Sequence, residues 1–287
     1  MERLVLFSST AADLAPSFPG AVALEERLFP DGESYVRIPA SCAKKEVLLL
    51  HRCYPSPNEN LMMLFLTVSA IKTQSPSSLR VFVPYLPYAR MDKAVKQGEA
   101  ISADTVCGIL KALGCSELIT LDCHFIKAGA GIHVRAGLRI RNITAADALL
   151  AQLKAKSPHA LVISPDQGAS YMAKGGEAMK KVRADYDKNS GSAYRKIEKL
   201  EAAFDSKGKD IIIIDDMVST GSTMIKAVKV LKEAGAKRIF CATTHGLFLN
   251  GALAKLKEAG AADVICSNSI PSGASKIDAA GLLAGAL

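Results

Sequence analysis

The chain has 287 residues, 49% hydrophobic and 22% charged, which suits one large domain or two of ordinary size and excludes a disordered or collagen-like polypeptide. Its net charge of +8 comes from lysines and arginines spread along helical segments without a dense basic run or interleaved aromatics, so solvated faces or polyanionic small substrates account for it better than nucleic acid. The first apolar run is too short for a secretory leader, and the longest, around residues 61–71, is interrupted by Thr67 and Ser69 and falls short of the ~20 residues a membrane span needs; no membrane partner and a cytoplasmic location are expected.

Met1-Glu-Arg-Leu-Val-Leu-Phe7 predicts a short strand. Phe29-Pro-Asp-Gly-Glu33 predicts a hairpin around Asp31-Gly32. Helical patterns cover residues 60–73, 102–113, 145–156, 168–175 and 223–234, and apolar strand runs cover 79–83, 160–163 and 209–214. One pattern recurs along the chain. Leu110-Lys-Ala-Leu-Gly114 leads into Cys115-Ser-Glu-Leu-Ile-Thr-Leu-Asp122, Leu231-Lys-Glu-Ala-Gly235 into a strand from Ala236, and Leu256-Lys-Glu-Ala-Gly260 into a strand from Ala261. Each reads as a helix end, a glycine able to take positive φ, and a buried strand. The seven cysteines include no CxxC pair and read as reduced, with Cys241 and Cys266 inside core strands.

Alternating strands and helices imply an α/β fold with mainly parallel sheets. About ten strands exceed one compact doubly wound sheet, so two similar domains are expected, residues 1–143 and 144–287. Ligands in such sheets bind at the carboxyl ends of the strands. The loops there span residues 84–102, 122–133, 164–168, 215–223 and 267–273.

The most informative segment is Ile211-Ile-Ile-Ile-Asp-Asp-Met-Val-Ser-Thr-Gly-Ser-Thr223. A hydrophobic strand ends in two acids, and Ser219, Thr220, Gly221, Ser222 and Thr223 open a helix. Their hydroxyls and free N–H groups suit a dianionic phosphate, helped by the helix dipole, and Gly221 lets the backbone approach it. Asp215 and Asp216 can accept hydrogen bonds from ribose hydroxyls, directly or through a metal. The segment therefore reads as a ribose 5-phosphate site. The alternative is that the hydroxyls merely cap the helix. No Walker A pattern occurs.

The same segment resembles the ribose-phosphate loop of the type I phosphoribosyltransferase fold. Val83-Pro-Tyr-Leu-Pro-Tyr-Ala-Arg90, Gly98-Glu-Ala-Ile-Ser102, Leu121-Asp-Cys-His124, Ser164-Pro-Asp-Gln-Gly168 and Phe29-Pro-Asp-Gly-Glu33 narrow the likeness. Together, over nearly the whole chain, they look like the ribose-phosphate pyrophosphokinase family, and the short length and bare C-terminus look more like its archaeal members.

That resemblance implies diphosphoryl transfer from ATP to the anomeric hydroxyl of ribose 5-phosphate, with AMP leaving and Mg²⁺ as cofactor. It assigns Phe29, Asp31, Glu33, Arg90, Met91, Asp92 and His124 to ATP, and His124 with Asp166 to the metal. It implies that the Phe29 hairpin serves a neighbouring subunit's adenine, hence a homodimer or higher homo-oligomer. It assigns Lys188 to the transferring group. The chain departs from the family pattern at Met91, where glutamine is usual, and at Ser190, where an arginine is expected; Arg195, further along the same glycine- and serine-containing segment, is the catalytic candidate to take that arginine's place by loop movement. His245 reads as a repeat of His124 in the second domain. The competing readings are a phosphoribosyltransferase, which has no use for the N-terminal motifs, and a non-catalytic paralogue, which Met91 and Ser190 favour.

Overall fold

The computed structural model describes residues 2–165, 167–173, 177–183, 197–201 and 205–287. In chain order its elements are β1 (Arg3–Phe7), a 3-10 segment (Ser9–Ser17), β2 (Val22–Ala23), β3 (Glu25–Leu28), β4 (Ser34–Arg37), β5 (Glu46–Leu50), α1 (Pro57–Thr73), β6 (Ser78–Phe82), α2 (Ser102–Ala112), β7 (Glu117–Leu121), β8 (Gly131–Arg135), β9 (Leu138–Ile143) and α3 (Ala146–Lys154). There follow β10 (Leu161–Ser164), a 3-10 segment (Gln167–Ala173), β11 (Glu177–Ala178), β12 (Lys180–Arg183), β13 (Ile197–Glu201), β14 (Asp210–Val218), α4 (Ser222–Glu233), β15 (Arg238–Gly246), α5 (Ala252–Glu258), β16 (Asp263–Ser267), β17 (Ser275–Ile277) and α6 (Ala279–Ala284). They form two compact units, Met1–Ala145 with Asp278–Leu287, and Ala146–Ile277. Residues 278–287, which the sequence reading placed in the second domain, pack with the first unit. There Ala279, Ala280 and Leu283 of α6 join the core formed by Leu14, Phe18, Leu48, Leu50 and Phe82. Asp278 caps that helix, accepting hydrogen bonds from the Ala280 and Gly281 N–H groups at 3.1 and 2.9 Å.

The first unit holds a seven-stranded sheet in the order β2-β1-β5-β6-β7-β9-β8, parallel except where β8 runs against β9. Its central strands β5 and β7 are apolar on both faces because both faces are covered there. Val47 and Leu49 of β5 point into the core shared with α1 and α2, while Leu48 and Leu50 point into the core shared with the first 3-10 segment and α6. The second unit holds a parallel six-stranded sheet, β11-β10-β14-β15-β16-β17. Ile211 and Ile213 of β14 pack with Met224, Val228 and Leu231 of α4 and Leu256 of α5. Two antiparallel pairs, β3–β4 and β12–β13, stand apart from these sheets. All seven cysteines are buried and free.

The recurring helix–glycine–strand pattern closes the same way each time. The N–H of Cys115, Ala236 and Ala261 reaches the carbonyl of Leu110, Leu231 and Leu256, and Gly114, Gly235 and Gly260 take φ of +98°, +82° and +111°. These are Schellman closures, which require a left-handed residue and hence favour glycine.

Two expectations are corrected. The helix expected over residues 168–175 is a 3-10 segment over Gln167–Ala173, the tighter helix that short connecting pieces adopt. His245 does not repeat His124. His124 follows β7, the fifth strand of the first sheet, whereas His245 lies in β15, the fourth strand of the second, whose counterpart is β6. The resemblance was one of local sequence, and sheet order overrides it. His245 is a buried core residue, paired through Nδ1 with the Ser269 hydroxyl at 2.9 Å.

Candidate active site

β14 is the third strand of its sheet, flanked by β10 and β15. Four consecutive isoleucines, all fully buried, hold it in place. At its amino end Asp210 is held down to about 2 by the Arg238 guanidinium, helped by a hydrogen bond from the Ser157 hydroxyl. At its carboxyl end come Asp215, half-buried, and Asp216, 4% exposed, whose N–H donates to Asp215 Oδ1 at 2.9 Å. Ser219 and Thr223 are half-buried, Thr220 and Ser222 exposed, and Gly221 buried.

Gly221 is the N-cap of α4, at φ +74° and ψ 0°. A glycine offers no side-chain oxygen, so the reading in which serine or threonine occupies the cap position does not hold. The first-turn N–H groups of α4 are therefore left for an external acceptor. The loop's shape is set from the next connection in the chain. Phe248 and Leu249 donate their N–H groups to the Val218 and Ser219 carbonyls at 3.1 and 3.0 Å. Gly246 makes room for this, since a Cβ there would collide with the Phe248 ring and approach Cys266 Sγ to 2.9 Å. Sequence reasoning did not single out these residues; the glycines at 246 and 251 were the available signal.

The topologically equivalent turn of the first unit, after β5, is closed. His51, Arg52 and Cys53 are buried, and Arg52 pairs with Asp13, Nη2 lying 2.9 Å from Oδ2. Helix α1 begins there at Pro57, which has no N–H to offer. Only the second unit thus presents this kind of cradle among the described residues.

In the first unit, the loop after β6 carries Arg90, Met91 and Asp92. Buried Ala89 anchors it, Met91 N–H donates to the Tyr88 carbonyl at 3.0 Å, and the Met91 carbonyl accepts from Ala103 at the start of α2. Tyr88, at φ +63°, donates its hydroxyl to Asn58 Oδ1 at the start of α1. Arg90 and Met91 are exposed on this fixed backbone and Asp92 is half-buried. Glu99 folds the following segment back by accepting from the Lys96 and Val95 N–H groups, which hold its carboxyl below the usual range.

His124 lies half-buried in the turn after β7. Asp122 there is fully buried, with Oδ2 accepting from the Ala145 N–H at 2.8 Å, so that oxygen organises main chain. The expected hairpin forms between β3 and β4. Phe29 and Glu33 close it, Gly32 takes φ +89°, and Asp31 Oδ1 accepts from the Glu33 N–H at 3.1 Å. Phe29 is 40% exposed, its ring edge-on to Tyr35, and Arg27 lies over both rings. Asp166, Lys188, Ser190 and Arg195 lie outside the described residues.

Residues 20–114 match the N-terminal domain of ribose phosphate pyrophosphokinase, and residues 188–283 match the phosphoribosyl synthetase-associated domain. The ribose-phosphate pyrophosphokinase of Pyrococcus abyssi is 34% identical over 256 residues, 88% of this chain and 86% of that protein. The chain belongs to the ribose-phosphate pyrophosphokinase family. The Sulfurisphaera tokodaii and Methanobrevibacter smithii enzymes of the same name are 31% and 32% identical, covering 88% and 92% of this chain and 87% and 91% of theirs. The crystal structure of phosphoribosylpyrophosphate synthetase from Mycobacterium smegmatis superimposes with a TM-score of 0.83 at 27% identity, covering 100% of this chain and 97% of that one. The fold shared with that synthetase is the two-sheet α/β architecture expected from the sequence. The match over residues 20–114 is to a domain of the synthesising family, which a phosphoribosyltransferase reading does not call for. No described helix is long and apolar enough to cross a membrane.

Proposed function

We propose that this chain transfers the β,γ-diphosphoryl group of ATP to the 1-hydroxyl of ribose 5-phosphate, yielding phosphoribosyl pyrophosphate and AMP. The observation that carries the proposal is the glycine-capped start of α4, which the short stretch of residues 217–220 joins to Asp215 and Asp216. Its free N–H groups, with the Ser219, Thr220, Ser222 and Thr223 hydroxyls, would hold the 5-phosphate, assisted by the helix dipole. Asp215 and Asp216 accept hydrogen bonds from the ribose hydroxyls and fix the sugar, which turns a bimolecular attack into an oriented one.

The nucleotide is assigned to the first unit. The Arg90 guanidinium suits phosphate oxygens, Met91 and Asp92 continue that contact surface, and the Phe29 ring, with Asp31 and Glu33 beside it, offers a face for the adenine of a neighbouring subunit's nucleotide. These nucleotide contacts follow the family resemblance, and the rigid loop backbone around Arg90 supports them. His124 and Asp166 would hold a divalent cation. A carboxylate is the oxygen donor that Mg²⁺ takes, and the cation keeps waters and few protein ligands besides phosphate oxygens; the imidazole, a nitrogen donor, is assigned by the family resemblance. When bound, that cation neutralises charge along the triphosphate.

In the reaction the sugar's 1-oxygen bonds to the β-phosphorus, the bond from that phosphorus to the α,β-bridging oxygen breaks, and AMP leaves with the electron pair; the hydroxyl proton is released. Lys188, with Arg195, would offer cations to the transferring group. The subunit is proposed to work in a homodimer or higher homo-oligomer. The test is an assay for AMP with purified protein, ATP, ribose 5-phosphate and Mg²⁺. AMP formation that depends on the sugar phosphate is expected, and its absence under saturating substrates would refute the proposal.

A further inference from the structure

Arg135 is the last residue of β8, the antiparallel edge strand of the first sheet, and it serves neither a core nor a surface role of the ordinary kind. Its side chain is 20% exposed and meets three separate segments. Nε donates to Asp104 Oδ1 in the first turn of α2 at 2.6 Å. Nη2 donates to the main-chain carbonyl of Asp92 at 2.6 Å. The guanidinium carbon lies 4.4 Å from the centre of the Phe125 ring. Each contact uses a different property of the group: its charge, its planar fork of donors, and its stacking face.

Two of these segments end in residues assigned to the nucleotide. Asp92 closes the Arg90–Met91–Asp92 run. Phe125 follows His124 in a tight turn that the Ile126 N–H closes onto the Cys123 carbonyl at 2.7 Å, so anything that holds the Phe125 ring holds His124 as well. The third segment, the start of α2, already holds the Met91 carbonyl through the Ala103 N–H. The two loops leave neighbouring strands and meet at their base, where the Leu121 N–H donates to the Pro84 carbonyl at 3.1 Å. Arg135, neutralised by Asp104, ties them together further out, at Asp92 and Phe125.

We propose that Arg135 is a positioning residue that locks the loop after β6 to the turn after β7, so that Arg90 and Asp92 on one and His124 on the other are presented together to a single nucleoside triphosphate. The proposal rests on the functional reading that assigns those residues to ATP. A lysine cannot replace the arginine: its point charge would keep the Asp104 pair but lose the second donor direction and the flat face over Phe125.

The experiment is calorimetric titration of the full-length protein with ATP in the presence of Mg²⁺ and, separately, with ribose 5-phosphate, alongside thermal unfolding. Arg135→Met should weaken ATP binding by about tenfold or more and leave ribose 5-phosphate binding within about twofold. Arg135→Lys should recover the unfolding temperature through Asp104 without recovering ATP affinity. Phe125→Leu, which removes the ring but not the charge pair, should weaken ATP binding in the same direction. Unchanged ATP affinity in both Arg135→Met and Phe125→Leu would overturn the proposal, as would equal losses for both ligands that follow the fall in unfolding temperature. A wild-type protein that binds ribose 5-phosphate but no ATP would overturn the nucleotide assignment itself, an outcome distinct from wild-type binding that survives the substitutions.

Discussion

Gly221, the N-cap of α4, stands so close to Ala252, the first residue of α5, that a Cβ added to it would lie 3.1 Å from the alanine's own. The position is doubly restricted, since φ there is +74°. Gly221→Val should therefore displace the start of α4 and lose the N–H array proposed for the 5-phosphate. Calorimetry should show ribose 5-phosphate affinity reduced by about tenfold or more with ATP affinity nearly unchanged. Unaltered sugar phosphate binding would remove this loop as its site.

His51 is fully buried, and its Nε2 lies 2.8 Å from the Asn60 carbonyl, which can only accept; Nε2 therefore carries the proton of the neutral ring, and buried Nδ1 has no hydrogen-bond partner among the described residues. Burial lowers its pKa from 6.5 to about 4. The unfolded chain then binds more protons than the folded one between these values, so stability falls as pH drops through the window, by up to about 3 kcal/mol. Urea unfolding at the two ends of the window should show this loss in wild type and a smaller one in His51→Gln. The contribution of Asp210, whose pKa is lowered to about 2, is separable because it is lost only below 3.8. Equal pH slopes in wild type and variant would refute the assignment to His51.

If the Phe29 hairpin completes a neighbour's nucleotide site, activity needs at least two subunits. Glu33→Ala and Asp216→Ala proteins should each be impaired alone, and a mixed oligomer of the two should regain part of the activity by pairing intact halves. Mass analysis should verify that mixing occurred. No recovery in a verified mixed oligomer would mean that each site is built within one chain.

A cation aimed at the transferring group lowers the barrier more than it tightens binding, because charge shifts there only as the bond to AMP breaks. Lys188→Ala should accordingly lower kcat by about a hundredfold or more with little change in KM for ATP. Arg195→Ala should do the same if that residue has taken over from the arginine missing at Ser190. Wild-type turnover in Lys188→Ala would make it an ordinary surface lysine, and an inactive wild type restored by Ser190→Arg would favour the non-catalytic paralogue.

Much of this was legible before any coordinates, and the reason is that the informative signals are local. A run of isoleucines between polar residues favours a strand covered on both faces, and Asp215 through Thr223 are neighbours in sequence. The glycines at 114, 235 and 260 announce helix ends because left-handed φ is a property of a single residue. Strand order is another matter. The place of His245's strand β15 in its sheet, which corresponds to that of β6 and not β7, and the return of α6 to the first unit depend on contacts between residues far apart in the chain, which no local pattern encodes. The same holds for Arg135. As one residue of an edge strand its sequence context says only that it is charged, and its role arises because β8 folds back beside β9 and carries the guanidinium to Asp92, Asp104 and Phe125, three segments that meet only when the sheet has closed.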